Sequence, residues 1–429
     1  MTLTKAATYH ERMQVTLKYG VESTIPLEIP SEHFRGEYGQ PVGEPLDDVT
    51  AAMAAALVEP IHFPPLSEAT VPGDRVAIPL DPGLPQAPAL VAGLVQSLCE
   101  VGITASDITV LWTAEASAGI DPRSGLAADL AEQVQFLVHD PTDRNAMGYL
   151  TVSAENQPIY LNRALQDADV VLPIGCLRVE TTAGYHGIHS VVFPTYSDRE
   201  TLDRYHAPSN EDSDVPRRRR GKETAEAAWL LGVITTIQVI PGSGDSILHI
   251  LAGDPTHVLA EGQLRCDAVW HYEVPQRAQL VIAGIEGNAQ SQTWENLAHA
   301  VTSALHVVEE GGVIAICSEL ATAPSEVLQQ LAAADDYETT WHEIRRQRSA
   351  DAVSASQLLK AMQEARIFLL SELEEDEVAE LGLAPVADAH EIIRLASRFE
   401  SCIILANAQY AKTTATAGAD RVRGPIEKA

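Results

Sequence analysis

The chain has 429 residues, 45% of them hydrophobic and 21% charged, an ordinary water-soluble composition and too long for one compact core. Its formal net charge of -31 repels nucleic acid and anionic membranes, so neither is expected as a partner. No apolar run of about 18 residues marks a membrane span, and the opening "MTLTKAATYHERMQV" lacks the apolar segment of a secretory signal, so a cytoplasmic protein is expected.

From Asp74 the pattern is strand, turn, helix, repeated. "DRVAIPL" reads as a buried strand, "DPGLPQAP" as a turn, and "PALVAGLVQSLCEVG" as an amphipathic helix ending at glycine. "DITVLW" and "VQFLVHD" are further strands, and "NRALQDAD" is a short helix before "VVLPIGC". The polar stretch "HAPSNEDSDVPRRRRGKE" reads as an exposed loop whose arginines form a solvated run. "AEAAWLLGVITTIQVI" restarts ordered structure, and "ILHILAGDPTHVLAEG" gives a strand and a helix.

A second unit follows. "AQLVIAGIEGN" is a strand ending in a glycine-containing loop, and "TWENLAHAVTSALHVVEEGG" is a helix closed by Gly311 and Gly312. "VIAICSEL", "IFLLSEL" and "CIILANA" are buried strands separated by helical patterns. The expected division is an N-terminal α/β domain over 1–268, a C-terminal α/β domain over 269–411, and a disordered tail over 412–429, with mostly parallel sheets. The cysteines are five and scattered, without a CxxC pair, and are expected to be reduced and largely buried. No GxxxxGK[ST], complete GxGxxG or GxSxG occurs, which argues against an ATPase, a dinucleotide dehydrogenase and an α/β-hydrolase.

The chemistry-bearing stretch is "ETTAGYHGIHSVVFP", where a parallel strand hands over to the next element, the place where α/β folds put ligands. His186 and His189 flank Gly187 and titrate near neutral pH, so they are candidates for general acid and base, or they satisfy loop carbonyls. Glu180 is a candidate proton acceptor or a capping group. Gly184 and Gly187 permit positive φ or close approach to a ligand. Asp81, before Pro82, is a candidate turn-capping aspartate. His206, in "RYHAPSN", is a candidate metal ligand or a helix-end histidine.

Ordered landmarks across about Lys18 to Ala408 resemble the nickel-dependent lactate racemases, which use a nickel pincer nucleotide. "IPLDPGLP", "ITVLWTAEASAG", "ETTAGYHGIHSVVFP", "TYSDRETLDRYH", "LAGDPTHV" and "VVEEGGVIAI" carry the resemblance. It implies two α/β domains with the site in the cleft between them. It also places Asp81 near the cofactor and His206 on the column of the nickel-ligating histidine.

Other columns depart from the family. The lysine that tethers the cofactor is Ser190, the neighbouring arginine is His189, and the carboxylate-anchoring arginine of the first turn is Leu84. One catalytic histidine falls on Glu180 and the other on Ser117 or Ala116. The tyrosine and lysine of the second-domain loop are Asn288 and Gln292. Two readings stand. One is a divergent racemase or epimerase of a 2-hydroxy acid, with ancestral racemisation weak or lost and any pincer nucleotide held without a covalent tether. The other is a non-catalytic module that binds a small ligand or a partner protein, with no cofactor. A homo-oligomer is compatible with both.

Overall fold

The computed structural model describes residues 11–114, 121–154, 156–179, 185–208, 214–333 and 336–416. The first half is built on a four-stranded parallel sheet in the order β6-β5-β4-β9, with β4 Val76–Pro79, β5 Ile108–Thr113, β6 Gln135–His139 and β9 Val170–Val171. Beside it lie β10 Ile174–Cys176, β11 Thr236–Pro241 and β12 Ile247–Gly253. A bridge between Leu80 and Ile174 joins the two groups of strands. Helix α1 (Ala87–Glu100) buries Leu90, Val91, Leu94, Val95 and Leu98 in one core with Ile78, Val110 and Ile237. The central strand β4 is apolar and buried throughout because both faces are covered, whereas the edge strand β6 keeps Gln135 and Val138 exposed.

Tyr196 ties two of these strands together. Its hydroxyl accepts from the Leu80 N–H at 3.0 Å and lies 2.7 Å from the carbonyls of both Leu80 and Leu111. One hydroxyl proton serves one of those carbonyls at a time. The Leu80 N–H also donates to Leu111 O at 2.9 Å, so it stays paired if the hydroxyl is lost. Tyr196→Phe is therefore expected to cost only about 1 kcal/mol, read as a small shift of the urea midpoint by circular dichroism. A loss several times larger would show that the hydroxyl is the principal clamp between these strands.

The second half is a six-stranded parallel sheet in the order β17-β16-β15-β14-β18-β3, with β14 Ala278–Gly284, β15 Val308–Cys317, β16 Arg366–Leu370, β17 Ala384–Val386, β18 Cys402–Leu405 and β3 Phe34–Tyr38. Its edge strand β3 comes from the start of the chain and crosses the division expected at Val269. One face is covered by helices, including α5 (Trp294–Leu305) and α6 (Ala352–Glu364). The other is covered by the hairpin of β1 (Arg12–Tyr19) and β2 (Ser23–Pro30), whose Val15, Leu17, Ile25, Leu27 and Ile29 meet Leu280, Ile282 and Ile404. At the hairpin turn, Gly20 has φ +61°, a left-handed backbone that favours glycine, and a Cβ there would force the Glu319 carboxylate to move.

Three local expectations change. The arginine-rich stretch is helical over α3 (Asp214–Leu231), because the good helix formers of "GKETAEAAWLL" carry the helix upstream. Gly311 and Gly312 lie inside β15 rather than closing the preceding helix, which ends at Leu305. Lys412–Ala415 forms β19 and pairs in parallel with β13 (His271–Val274), within the stretch expected as a tail. All five cysteines are free, and all but Cys99 are buried. No helix among the described residues is long and apolar enough to cross a membrane.

Candidate functional site where two strand-order reversals meet

Strand β4 lies between β5 and β9. The chain leaves β4 toward β5 on one side and later returns through β9 and β10 on the other. In the second sheet β14 lies between β15 and β18 in the same way. Such reversals leave a crevice at the carboxyl ends of the strands, where open α/β sheets bind ligands.

The residues following these strand ends contact one another. Asp81, just after β4, donates its N–H to Ile174 O at 3.0 Å, and its carboxylate accepts from the Cys176 N–H at 3.0 Å. Arg178, just after β10, places Nη2 at 4.0 Å from Asp81 Oδ1 and donates to Pro82 O at 3.2 Å. Its Nη1 lies 3.3 Å from Glu295 Oε1, at the start of α5 in the second half. In the turn between β11 and β12, the Gly244 N–H donates to Asn407 Oδ1 at 3.1 Å, and Asn407 Nδ2 donates to Gly39 O at 3.2 Å and to Ser243 Oγ at 3.1 Å. Next to it, Asp245 accepts from the Gln86 N–H at 3.4 Å and bonds the Asn288 side chain.

Burial dominates the electrostatics here. It raises the Asp81 pKa, and the Arg178 guanidinium and Cys176 N–H only partly offset it. It likewise raises Asp245, against its bonds to Gln86 and Asn288. Tyr185 feels Asp81, Cys266, Cys176 and Arg178, and its buried hydroxyl has no hydrogen-bond partner among the described residues. Tyr410 is pushed up by burial, feels Arg178 and Asp245, and bonds the Ser291 side chain.

The residues expected from sequence are distributed unevenly around this centre. Asp81 sits in it. Gly187 has φ +96°, as anticipated, and precedes the short 3-10 turn Ile188–Val191 that holds His189. Burial lowers the His189 pKa. His186 faces another way: its ring meets the Tyr205 ring edge-on at 5.1 Å, and its carbonyl accepts from Thr224 Oγ1 at 3.2 Å. His206 is the last residue of α2 (Arg199–His206), which precedes α3. Burial lowers its pKa, Asp203 and Asp351 oppose that, and Arg199 and Arg220 add to it. No group of three or more His, Cys, Asp or Glu among the described residues could hold a metal ion. Glu180, Gly184, Ala116 and Ser117 lie outside the described residues.

The substituted columns are engaged in local structure. Ser190 Oγ accepts from the His186 N–H at 3.0 Å. Gln292 donates to Ile285 O at 3.3 Å and Gly287 O at 3.1 Å, and accepts from Ser318 Oγ at 2.7 Å and the Glu319 N–H at 3.0 Å. Leu84 is 3% exposed in the first core. Arg178, Tyr185, Asp245, Glu295 and Tyr410 escaped sequence reasoning. Arg178, two residues beyond the strand "VVLPIGC", and Tyr185, inside "ETTAGYHGIHSVVFP", had a usable signal.

Residues 19–215 match the family model of the lactate racemase N-terminal domain. Among solved structures, the chain is similar to the lactate racemase apoprotein from Thermoanaerobacterium thermosaccharolyticum, with a TM-score of 0.75 and 16% identity over 94% of this chain and 100% of that one. A crystallised protein from Thermotoga maritima gives a TM-score of 0.60 at 13% identity, over 87% of this chain and 99% of its own. At such identities these likenesses establish the fold. No curated protein matches the chain in sequence. Residues 19–215 thus resemble the lactate racemase N-terminal domain, and the chain as a whole has the fold of the lactate racemase apoprotein.

Proposed function

We propose that the chain is a divergent lactate racemase relative in which lactate racemisation is weak or lost, and in which the meeting strand ends serve as a small-ligand site. One observation carries this reading. The residues in the columns of the tethering lysine, the loop lysine and the carboxylate-anchoring arginine are engaged in their own fold: Ser190 to the His186 N–H, Gln292 to four loop and strand groups, and Leu84 in the core. A hydroxyl supplies no amine for a covalent link. These residues therefore do not fit a tethered nickel pincer nucleotide, and no step is derived through that group. His206 is the one candidate metal ligand of the set, and nickel titration of the parent against His206→Ala reads that role directly.

The test uses full-length protein from a host that makes the pincer nucleotide. Denaturing mass spectrometry is expected to return the bare polypeptide mass of 46.2 kDa. The protein is then incubated with one lactate enantiomer, and chiral chromatography follows the other. Turnover near the ~10 per second of an ordinary enzyme, or a nucleotide adduct on any residue, would overturn the reading.

A further inference from the structure

The first half carries a cavity at the end of its strands away from the crevice. It opens between the amino ends of β9 and β11, the carboxyl end of β12 and residues 57–70. Leu57, Leu66, Val171, Leu172 and Ile237 form its buried floor, and it holds about 570 Å³ of empty space counted to its open mouth. The hydroxyls of Thr70 and Thr235 are turned to the carbonyls of Leu66, at 2.9 Å, and Gly253, at 3.1 Å, which leaves the interior apolar. On the rim stands Ile234, 63% exposed.

A side chain of matching kind stands beside the mouth. Trp229, near the end of α3, is 75% exposed and does not line the cavity of its own chain. Gly232 has φ +87°, and the N–H groups of Gly232 and Val233 return to Trp229 O at 3.0 Å and Ala228 O at 2.9 Å. The helix ends there, and the chain passes directly into the rim at Gly232 and Ile234, which fixes the indole next to the mouth. The surrounding charges are complementary. Lys222 lies seven residues before Trp229, on the same helix face, while Glu59 and Glu68 adjoin the lining residues Pro60 and Ala69. All three are exposed, and none has an ion pair among the described residues.

We propose that this face pairs two copies of the chain, with the Trp229 of each seated in the cavity of the other and the Lys222 of each turned to the opposite Glu59 and Glu68. A knob and a socket side by side on one surface are both engaged by a two-fold axis between them, so the assembly closes at two. Seating the indole removes its apolar surface, and that of the cavity, from water. The local opposite charges matter because two chains of charge -31 otherwise repel. An aromatic anchor in a pocket with a charged rim is the usual distribution of energy in an interface. The contact lies at the other end of the strands from the crevice, so it stands whether or not the crevice binds a small ligand.

Sedimentation equilibrium of the full-length chain measures the pairing at up to about 100 µM, a range that includes weak dimers. The parent is expected to approach twice the 46.2 kDa chain mass as its concentration rises. Trp229→Ala and Ile234→Glu change exposed residues of the knob and the rim, and each is expected to weaken pairing by about a hundredfold. Lys222→Glu is expected to weaken it by about tenfold. Mixing Trp229→Ala, whose cavity is intact, with Ile234→Glu, whose tryptophan is intact, is expected to give a mixed pair that neither forms alone, because one complete contact returns. Leu264→Ala, at a residue 71% exposed on helix Pro255–Trp270, is the control for losing any surface apolar group, and circular dichroism the control for folding. A parent that stays monomeric, growth beyond two copies, an unchanged affinity in Trp229→Ala or Lys222→Glu, or an equal loss in Leu264→Ala overturns the proposal. A monomeric parent that binds anilinonaphthalene sulfonate, and loses it in Ile234→Glu, would instead assign the cavity to a small apolar ligand.

Discussion

Replacing Trp270 with alanine is expected to lower the stability of the chain by about 4 kcal/mol, the usual cost of removing a buried indole. Trp270 is 1% exposed at the end of helix Pro255–Trp270 and packs among Leu251, Val258, Cys266 and Val269. Its Nε1–H donates to Pro241 O at 3.0 Å, and its ring lies 5.2 Å from that of Tyr410. Alanine removes the donor, leaves a cavity against the turn after β11, and frees the Tyr410 ring. Trp270→Phe keeps most of the apolar volume and loses the bond, so about half the cost is expected. Urea unfolding followed by circular dichroism separates the two, since tryptophan fluorescence changes with the substitution itself. An alanine variant within 1 kcal/mol of the parent would mean that the surroundings collapse into the space, and that Tyr410 is held by other contacts.

The parts of the fold legible in the sequence are those where burial on both faces leaves an uninterrupted apolar run. "DRVAIPL", "DITVLW", "AQLVIAGIEGN" and "CIILANA" all prove to be sheet strands for that reason. The opening hairpin went unread, although its pattern gives its kind. Val15 and Leu17, then Ile25, Leu27 and Ile29, alternate with polar neighbours around the turn at Gly20. Its destination is not given, because alternation says which face is buried and not what covers it. That cover is Leu280, Ile282 and Ile404, hundreds of residues away. The site divides the same way. Asp81 could be named because it directly follows a readable strand. Asp245, Glu295 and Tyr410 could not, because what brings them to Arg178 is the order of strands in two sheets, and no local pattern encodes that order.

The arginine run shows how a charged stretch misleads and yields the second large prediction. Read as a chain of charges it looks solvated, but as helix α3 it carries Arg220 and Glu223 onto α2. Arg220 donates to Tyr205 O at 3.0 Å, Arg204 O at 3.2 Å and Ala207 O at 2.8 Å, capping the end of α2. Glu223, with a side chain 9% exposed, receives Arg204 Nη1 at 2.9 Å on both oxygens and the Tyr205 hydroxyl at 2.8 Å. Two guanidiniums thus flank one tyrosine ring, at 5.1 and 5.5 Å from its centre, with this carboxylate beside them. Glu223→Ala leaves Arg204 and Arg220 uncompensated in a half-buried place, and a loss of about 3 kcal/mol is expected. That lies at the lower end for a broken buried pair, because the Arg204 side chain is 27% exposed and water screens it in part. Glu223→Gln keeps an acceptor for Tyr205 and removes the charge, so an intermediate loss is expected. Arg204→Leu combined with Glu223→Leu should recover part of the stability, because apolar replacement of both partners removes the stranded Arg204 charge and leaves Arg220 on its three carbonyls. If the double variant is instead as unstable as Glu223→Ala, the Tyr205 hydroxyl bond, and not the ion pair, holds α2 against α3 and so fixes where His206 ends its helix.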